Sequence, residues 1–108
     1  MMYEFCARTD CGLARTNNED SISLDESCGL AVLADGMGGY NAGEVASGMA
    51  TALIRTEMGH WLVHASLQAS ARDVRQALEL SVGNANRAVF EAALANPAYA
   101  GMGTTLVV

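Results

Sequence analysis

Hydrophobic and polar positions change period several times along the chain. Residues 3–8, Tyr-Glu-Phe-Cys-Ala-Arg, roughly alternate, which predicts a half-buried strand. Asp10-Cys11-Gly12 reads as a turn, and the polar stretch Arg15 to Asp20 as a loop or strand edge. Ile22 to Leu24 predicts a short strand ending at Asp25-Glu26-Ser27. The compact apolar run Gly29 to Ala34 predicts a buried strand, which the glycines of Asp35-Gly36-Met37-Gly38-Gly39 then break. From Gly43 to Met58 the period is helical, with Val45, Met49, Ala52 and Leu53 on one face and Asn41 as the N-cap. Residues 59–69 are ambiguous. Ser70-Ala-Arg-Asp73 resembles a capping box that opens a long helix to about Ala95. Its inner stripe is Val74, Ala77, Leu78, Ser81, Val82, Ala85, Val89 and Ala92, and Asn96-Pro97 stops it. Thr104 to Val108 is β-branched and apolar and predicts a core strand.

A chain of 108 residues is one domain or part of one, and 51% hydrophobic residues exclude wholesale disorder, although so small a core is marginal. No apolar run approaches the roughly 18 residues of a membrane helix. MMYEFCARTD has no basic segment followed by an apolar one, so neither a membrane segment nor a secretory signal is predicted and the expected location is cytoplasmic. The net charge is −6, and all six bases are arginine. The excess lies in residues 1–44, where Glu4, Asp10, Glu19, Asp20, Asp25, Glu26, Asp35 and Glu44 face only Arg8 and Arg15. That balance argues against a nucleic-acid surface there and suits a solvated acidic face or a cation site. Cys6, Cys11 and Cys28 form no C-x-x-C pair, so a disulfide framework or zinc ribbon is unsupported and a reduced compartment fits. A cysteine phosphatase would carry Arg six residues after its Cys, and those positions are Gly12, Asn17 and Ala34. The chain stops inside the last predicted strand, at Gly103-Thr-Thr-Leu-Val-Val108, which predicts a domain interrupted at its C-terminal end.

Two acidic features carry candidate chemistry. Asn18-Glu19-Asp20 follows Arg15, and Asp35-Gly36 closes an apolar strand. Adjacent carboxylates repel unless a cation lies between them, and hard divalent ions prefer carboxylate and carbonyl oxygens. Each feature by itself is ordinary turn chemistry. Together, with Arg15 nearby, they point to metal-assisted phosphate chemistry.

Three ordered motifs, Gly12-Leu-Ala-Arg15-Thr-Asn-Asn18-Glu19-Asp20, Leu33-Ala-Asp35-Gly-Met-Gly-Gly39 and Gly43-Glu-Val-Ala-Ser47, resemble the bacterial branch of the metal-dependent serine/threonine protein phosphatases, PP2C or PPM. Gly103-Thr104-Thr105 resembles the next stretch of that family, in order. The resemblance covers nearly the whole chain and implies an α+β fold, an αββα sandwich of two antiparallel sheets flanked by helix pairs. Residues 1–108 would form the N-terminal part of that single domain. It implies two Mn²⁺ or Mg²⁺ ions, with Asp35 bridging both, Glu19 and the Gly36 carbonyl as ligands of one, and Asp20 orienting a metal-bound water. Arg15 would clamp the substrate phosphate, for which its planar fork is suited. The implied partners are phosphoserine and phosphothreonine proteins made by a bacterial serine/threonine kinase. Eukaryotic members carry a histidine, a proposed general acid, where this chain has Met37, and Met is usual in the bacterial branch. The family's domain is about twice this length, within the size of one sandwich domain, and its remainder carries further Asp ligands. The fragment by itself is therefore expected to be inactive.

Other features are read more plainly. His60 and His64 are spaced i, i+4 without a His-Glu-x-x-His pattern and are read as surface or packing residues. Gly43 and Ser47 are read as close-packing positions, and Thr104 and Thr105 as strand residues with a contact to the site's scaffold left open. Two competing functions remain. One is a truncated or degenerate relative acting as a binding or regulatory module. The other is a nucleotide-binding enzyme, which fails because Asn41 stands where a third glycine is needed and Asp35 would repel a pyrophosphate.

Overall fold

The computed structural model describes residues 4–10, 12, 18–65 and 68–108. Strands β1 (Asp20–Asp25) and β2 (Leu30–Met37) form an antiparallel hairpin, followed by helices α1 (Ala42–His64) and α2 (Ala71–Ala95). A single 3₁₀ turn, Pro97–Tyr99, leads to β3 (Gly103–Thr104), which pairs antiparallel with β2, so the sheet order is β1-β2-β3. Helix α1 packs across the sheet, and α2 packs against α1. The fold is α+β, one sheet layer and one helix-pair layer.

The central strand alternates strictly. Leu30, Val32, Ala34 and Gly36 are buried, while Ala31, Leu33, Asp35 and Met37 are exposed. The apolar run is therefore covered on one face only, by α1. The strand also continues through Asp35 and Gly36 to Met37, so the break predicted at Asp35 falls three residues late, after the register with β1 and β3 is complete. Leu30 and Val32 meet Ile54, Met58 and Ala85 in one core cluster; Ala42, Ala46, Val89 and Met102 form a second.

Helix α1 buries Ala42, Ala46, Ala50, Ile54 and Met58 together with Gly43, Ser47 and Thr51. The predicted face is offset from this one. Val45, Met49 and Leu53 are partly buried flanking residues and Ala52 is exposed, because the stripe that meets the sheet is built from small side chains. Its buried hydroxyls are satisfied by carbonyls of the preceding turn, Ser47 to Glu44 and Thr51 to Gly48, each at 3.2 Å. The helix also runs on to His64, through part of the ambiguous stretch. Asn41 occupies the predicted N-cap position without a side-chain capping bond, whereas Ser70 and Asp73 form the predicted capping box. Helix α2 ends at Ala95 as expected, with Ser81, Ala85 and Val89 buried, but Val74 and Val82 of its predicted stripe are exposed.

Two strand predictions fail. Residues 4–10 form no strand; alternation specifies a face, but a strand also needs a neighbouring backbone to pair with. Tyr3 lies outside the described residues. Thr104 to Val108 is not a core strand either, since only Gly103–Thr104 is regular, Val107 is 62% exposed and Val108 43%. The cause is local. The Thr105 hydroxyl accepts the Asp35 N–H, and the Thr104 hydroxyl donates to the Thr105 carbonyl, so side chains replace one rung of the ladder. Pairing resumes in the same register at Leu33 and Val107, each N–H donating to the other's carbonyl at 2.8 Å.

Candidate active site

The hairpin register places Asp20 directly opposite Asp35. Residues so paired share a face with Cβ atoms roughly 5 Å apart, and like charges there repel. Asp35 is exposed on the face turned away from α1, and Asp20 is exposed too. The backbone of Asp35 is gripped by Thr105, whose hydroxyl accepts its N–H at 3.0 Å and whose N–H donates to its carbonyl at 2.9 Å. Thr105 thus fixes the backbone of Asp35. The sequence singled it out only as a strand residue near the scaffold.

Glu19 enters from the loop before β1. Its carbonyl accepts the Gly36 N–H at 2.9 Å, and its carboxylate lies against Gly43 in the first turn of α1. A Cβ on Gly43 would come within 2.5 Å of Glu19 Oε2, and a Cβ on Gly36 would overlap the Gly43 carbonyl. Gly36 and Gly43 therefore let strand, loop and helix meet at one point, where the positive end of the α1 dipole favours a carboxylate. The close packing expected of Gly43 is real, with the strand and Glu19 as its partners. The loop itself is pinned: Asn18 Oδ1 accepts the Asp20 N–H at 3.1 Å, and Asn18 Nδ2 donates to Thr9 Oγ1 at 2.7 Å.

Glu19, Asp20, Asp35 and Gly36 are thus brought to one end of the hairpin. Arg15 lies outside the described residues. The donors are all oxygens and two carboxylates face each other in register, which fits a hard divalent cation. Among the described residues, no group of three or more His, Cys, Asp or Glu side chains is gathered closely enough to hold a metal ion, so the fit is one of donor chemistry and placement. Two titration shifts fall elsewhere: hydrogen bonds from Ser27 hold the Asp25 carboxyl below its ordinary value, and burial pushes the Cys28 thiol up. No helix among the described residues is long and apolar enough to cross a membrane.

No protein-family model matches the chain. Individual proteins do. It is 38% identical over 106 residues to the serine/threonine protein phosphatase PstP of Mycobacterium tuberculosis, covering 98% of this chain and 19% of that protein. It is 35% identical over 108 residues to the protein phosphatase PhpP of Streptococcus pneumoniae, covering 97% of this chain and 42% of the relative. The crystal structure of the Mycobacterium tuberculosis phosphatase PstP/Ppp superposes with a TM-score of 0.74 over 92% of this chain and 38% of that one, at 38% identity. The chain therefore spans about one fifth to two fifths of the length of the relatives it matches. Shared sequence and shared fold agree: over nearly its whole length the chain is similar to a part of bacterial PP2C-type serine/threonine phosphatases.

Proposed function

We propose that the protein hydrolyses phosphoserine and phosphothreonine in protein substrates, in a Mn²⁺- or Mg²⁺-dependent reaction. The observation that carries this reading is the juxtaposition at the hairpin end, with Asp20 opposite Asp35 and Glu19 locked against Gly43. Asp35 would bridge two ions, and Glu19 and the Gly36 carbonyl would hold one of them. Bound divalent cations supply a water acidified enough to attack phosphorus and neutralise charge on the phosphoryl oxygens. Asp20 would accept a hydrogen bond from that water and orient it. Arg15 would dock two phosphate oxygens with its guanidinium fork. Thr105 contributes by fixing the Asp35 backbone on the side opposite β1. The chemistry calls for no covalent phosphoenzyme, and Met37, a thioether, donates no proton. The substrates would be the products of a bacterial serine/threonine kinase, in the cytoplasm.

The test is hydrolysis of a phosphothreonine peptide by the full-length gene product. The expected result is a rate that needs Mn²⁺ and disappears with a chelator. Asp35→Asn should lower kcat/KM on the order of 10³-fold, several kcal/mol of transition-state stabilisation, without loss of fold because the side chain is exposed. A rate that survives complete metal removal, or an Asp35→Asn variant near wild type, would overturn the reading. A second reading, a non-catalytic binding or regulatory relative, is favoured by the absence of a gathered three-carboxylate group among the described residues. A full-length protein that binds phosphopeptide but never turns it over would select it.

A further inference from the structure

The C-terminal half of α1 and the N-terminal half of α2 diverge around an open groove of about 920 Å³, lined in part by Glu57, His60, Trp61, His64 and Asp73. It lies at the far end of α1 from Glu19; His60 is 17 residues beyond Gly43, about 25 Å along the helix axis. The two imidazoles stand with ring centres 4.2 Å apart and planes tilted by 34°. His64 Nδ1 lies 2.8 Å from the His60 carbonyl. A carbonyl only accepts, so Nδ1 carries the hydrogen, and in the neutral ring Nε2 then holds the lone pair. A backbone carbonyl on one ring nitrogen is one of the ways a protein orients a metal-ligating histidine.

From this pair we propose a second metal site, distinct from the carboxylate end, in which His60 and His64 chelate one borderline transition ion of the Zn²⁺ type. Two imidazoles on adjacent positions of one ion, each at the usual distance of about 2.1 Å, hold their ring centres roughly 4.5–5.5 Å apart. The observed 4.2 Å lies a few tenths of an ångström below that range. Both rings are exposed, so an ion reaches them without unfolding and water completes its coordination. The surroundings favour a cation. The negative end of the α1 dipole lies at His64, and Glu57 and Asp73 line the same groove. Those two carboxylates act through their field; Asn84 Nδ2 donates to both Glu57 oxygens, and Asp73 accepts from the Ser70 N–H. Nitrogen donors distinguish this site from the oxygen-rich one, since imidazole suits zinc, copper and nickel while Mg²⁺ and Mn²⁺ prefer oxygen. The ion would staple the last turn of α1.

The probe is Zn²⁺ titrated into the untagged, chelator-stripped protein, followed by calorimetry and by the ¹⁵N signals of the histidine rings. The expected result is one zinc-dependent site that shifts the Nε2 signals of both rings and that excess Mg²⁺ does not displace. His60→Gln and His64→Gln should each weaken that binding roughly tenfold or more. Both residues are exposed, and thermal melting of the metal-free variants checks that the fold is kept. No binding at millimolar Zn²⁺, ring signals that stay in place, or binding that both substitutions leave within twofold of wild type would each overturn the proposal. The last two outcomes would move the ion to the cysteines or carboxylates.

Discussion

At Gly36 the backbones of β2 and α1 pass so closely that a methyl group has no room: a Cβ there would overlap the Gly43 carbonyl and come within 2.8 Å of the Glu19 carbonyl oxygen. Neither obstacle is a flexible side chain that could swing aside. Gly36→Ala should therefore cost about 2–3 kcal/mol of stability, at the upper end of overpacking effects. Gly39, three residues on, has no atom within 4 Å of its Cβ direction, and Gly39→Ala should change stability by less than about 0.5 kcal/mol. Urea melts of the two variants check this contrast, and equal midpoints would contradict the clasp. The carboxylates Glu19, Asp20 and Asp35 were legible as motifs because acidic residues beside glycines and turn residues carry their own signature. The clasp was not. It joins Glu19, Gly36 and Gly43, which no local window contains together.

The two helices differ in how much of them could be read. Helix α2 has a start signal, a stripe and a stop signal; the start and stop appear in the structure as read, and the stripe in part, with Ser81, Ala85 and Val89 buried but Val74 and Val82 exposed. Its capping box contains two bonds, Asp73 N–H to Ser70 Oγ at 3.2 Å and Ser70 N–H to Asp73 Oδ2 at 2.9 Å. Ser70→Ala should destabilise the protein by about 1 kcal/mol, and Ser70→Asp, which still accepts from the helix, by less. Thermal melting distinguishes the two. Helix α1 was found, but its buried face was misplaced. Hydrophobic weighting picks out Val45, Met49 and Leu53, while the face that meets the sheet is Ala42, Ala46 and Ala50 with Ser47 and Thr51. Small residues signal poorly because burying them releases little apolar surface, yet they allow the closest approach. Thr51 uses that approach to reach Ser21 of β1, hydroxyl to hydroxyl at 2.8 Å.

On the scale of the whole molecule, the helices cover one face of the sheet. The other face presents Ala31, Leu33 and Met37 beside Asp35, with Leu33 45% and Met37 63% exposed, and a shallow apolar cleft lined by Ile22 and Leu24 on one side of β2 and by Val107 and Val108 on the other. The 108-residue chain should accordingly self-associate as its concentration rises, and Leu33→Lys, on the exposed face, should reduce that association. Sedimentation at increasing concentration checks it; a wild-type chain that stays monomeric throughout would contradict the expectation. The amino-acid sequence by itself determined the strand–strand–helix–helix order of the middle of the chain, the extent of α2 and the acidic motifs, because each rests on periodicity or on residues within a few positions of one another; the α+β class came only through the resemblance that those motifs carry. Only the tertiary structure decided that β2 is covered on one face, that residues 4–10 form no strand, that Thr105 grips Asp35 and that Asp20 stands opposite it. Those features depend on which backbone lies alongside which, and pairing over separations such as the 70 residues between Asp35 and Thr105 leaves no trace in local pattern.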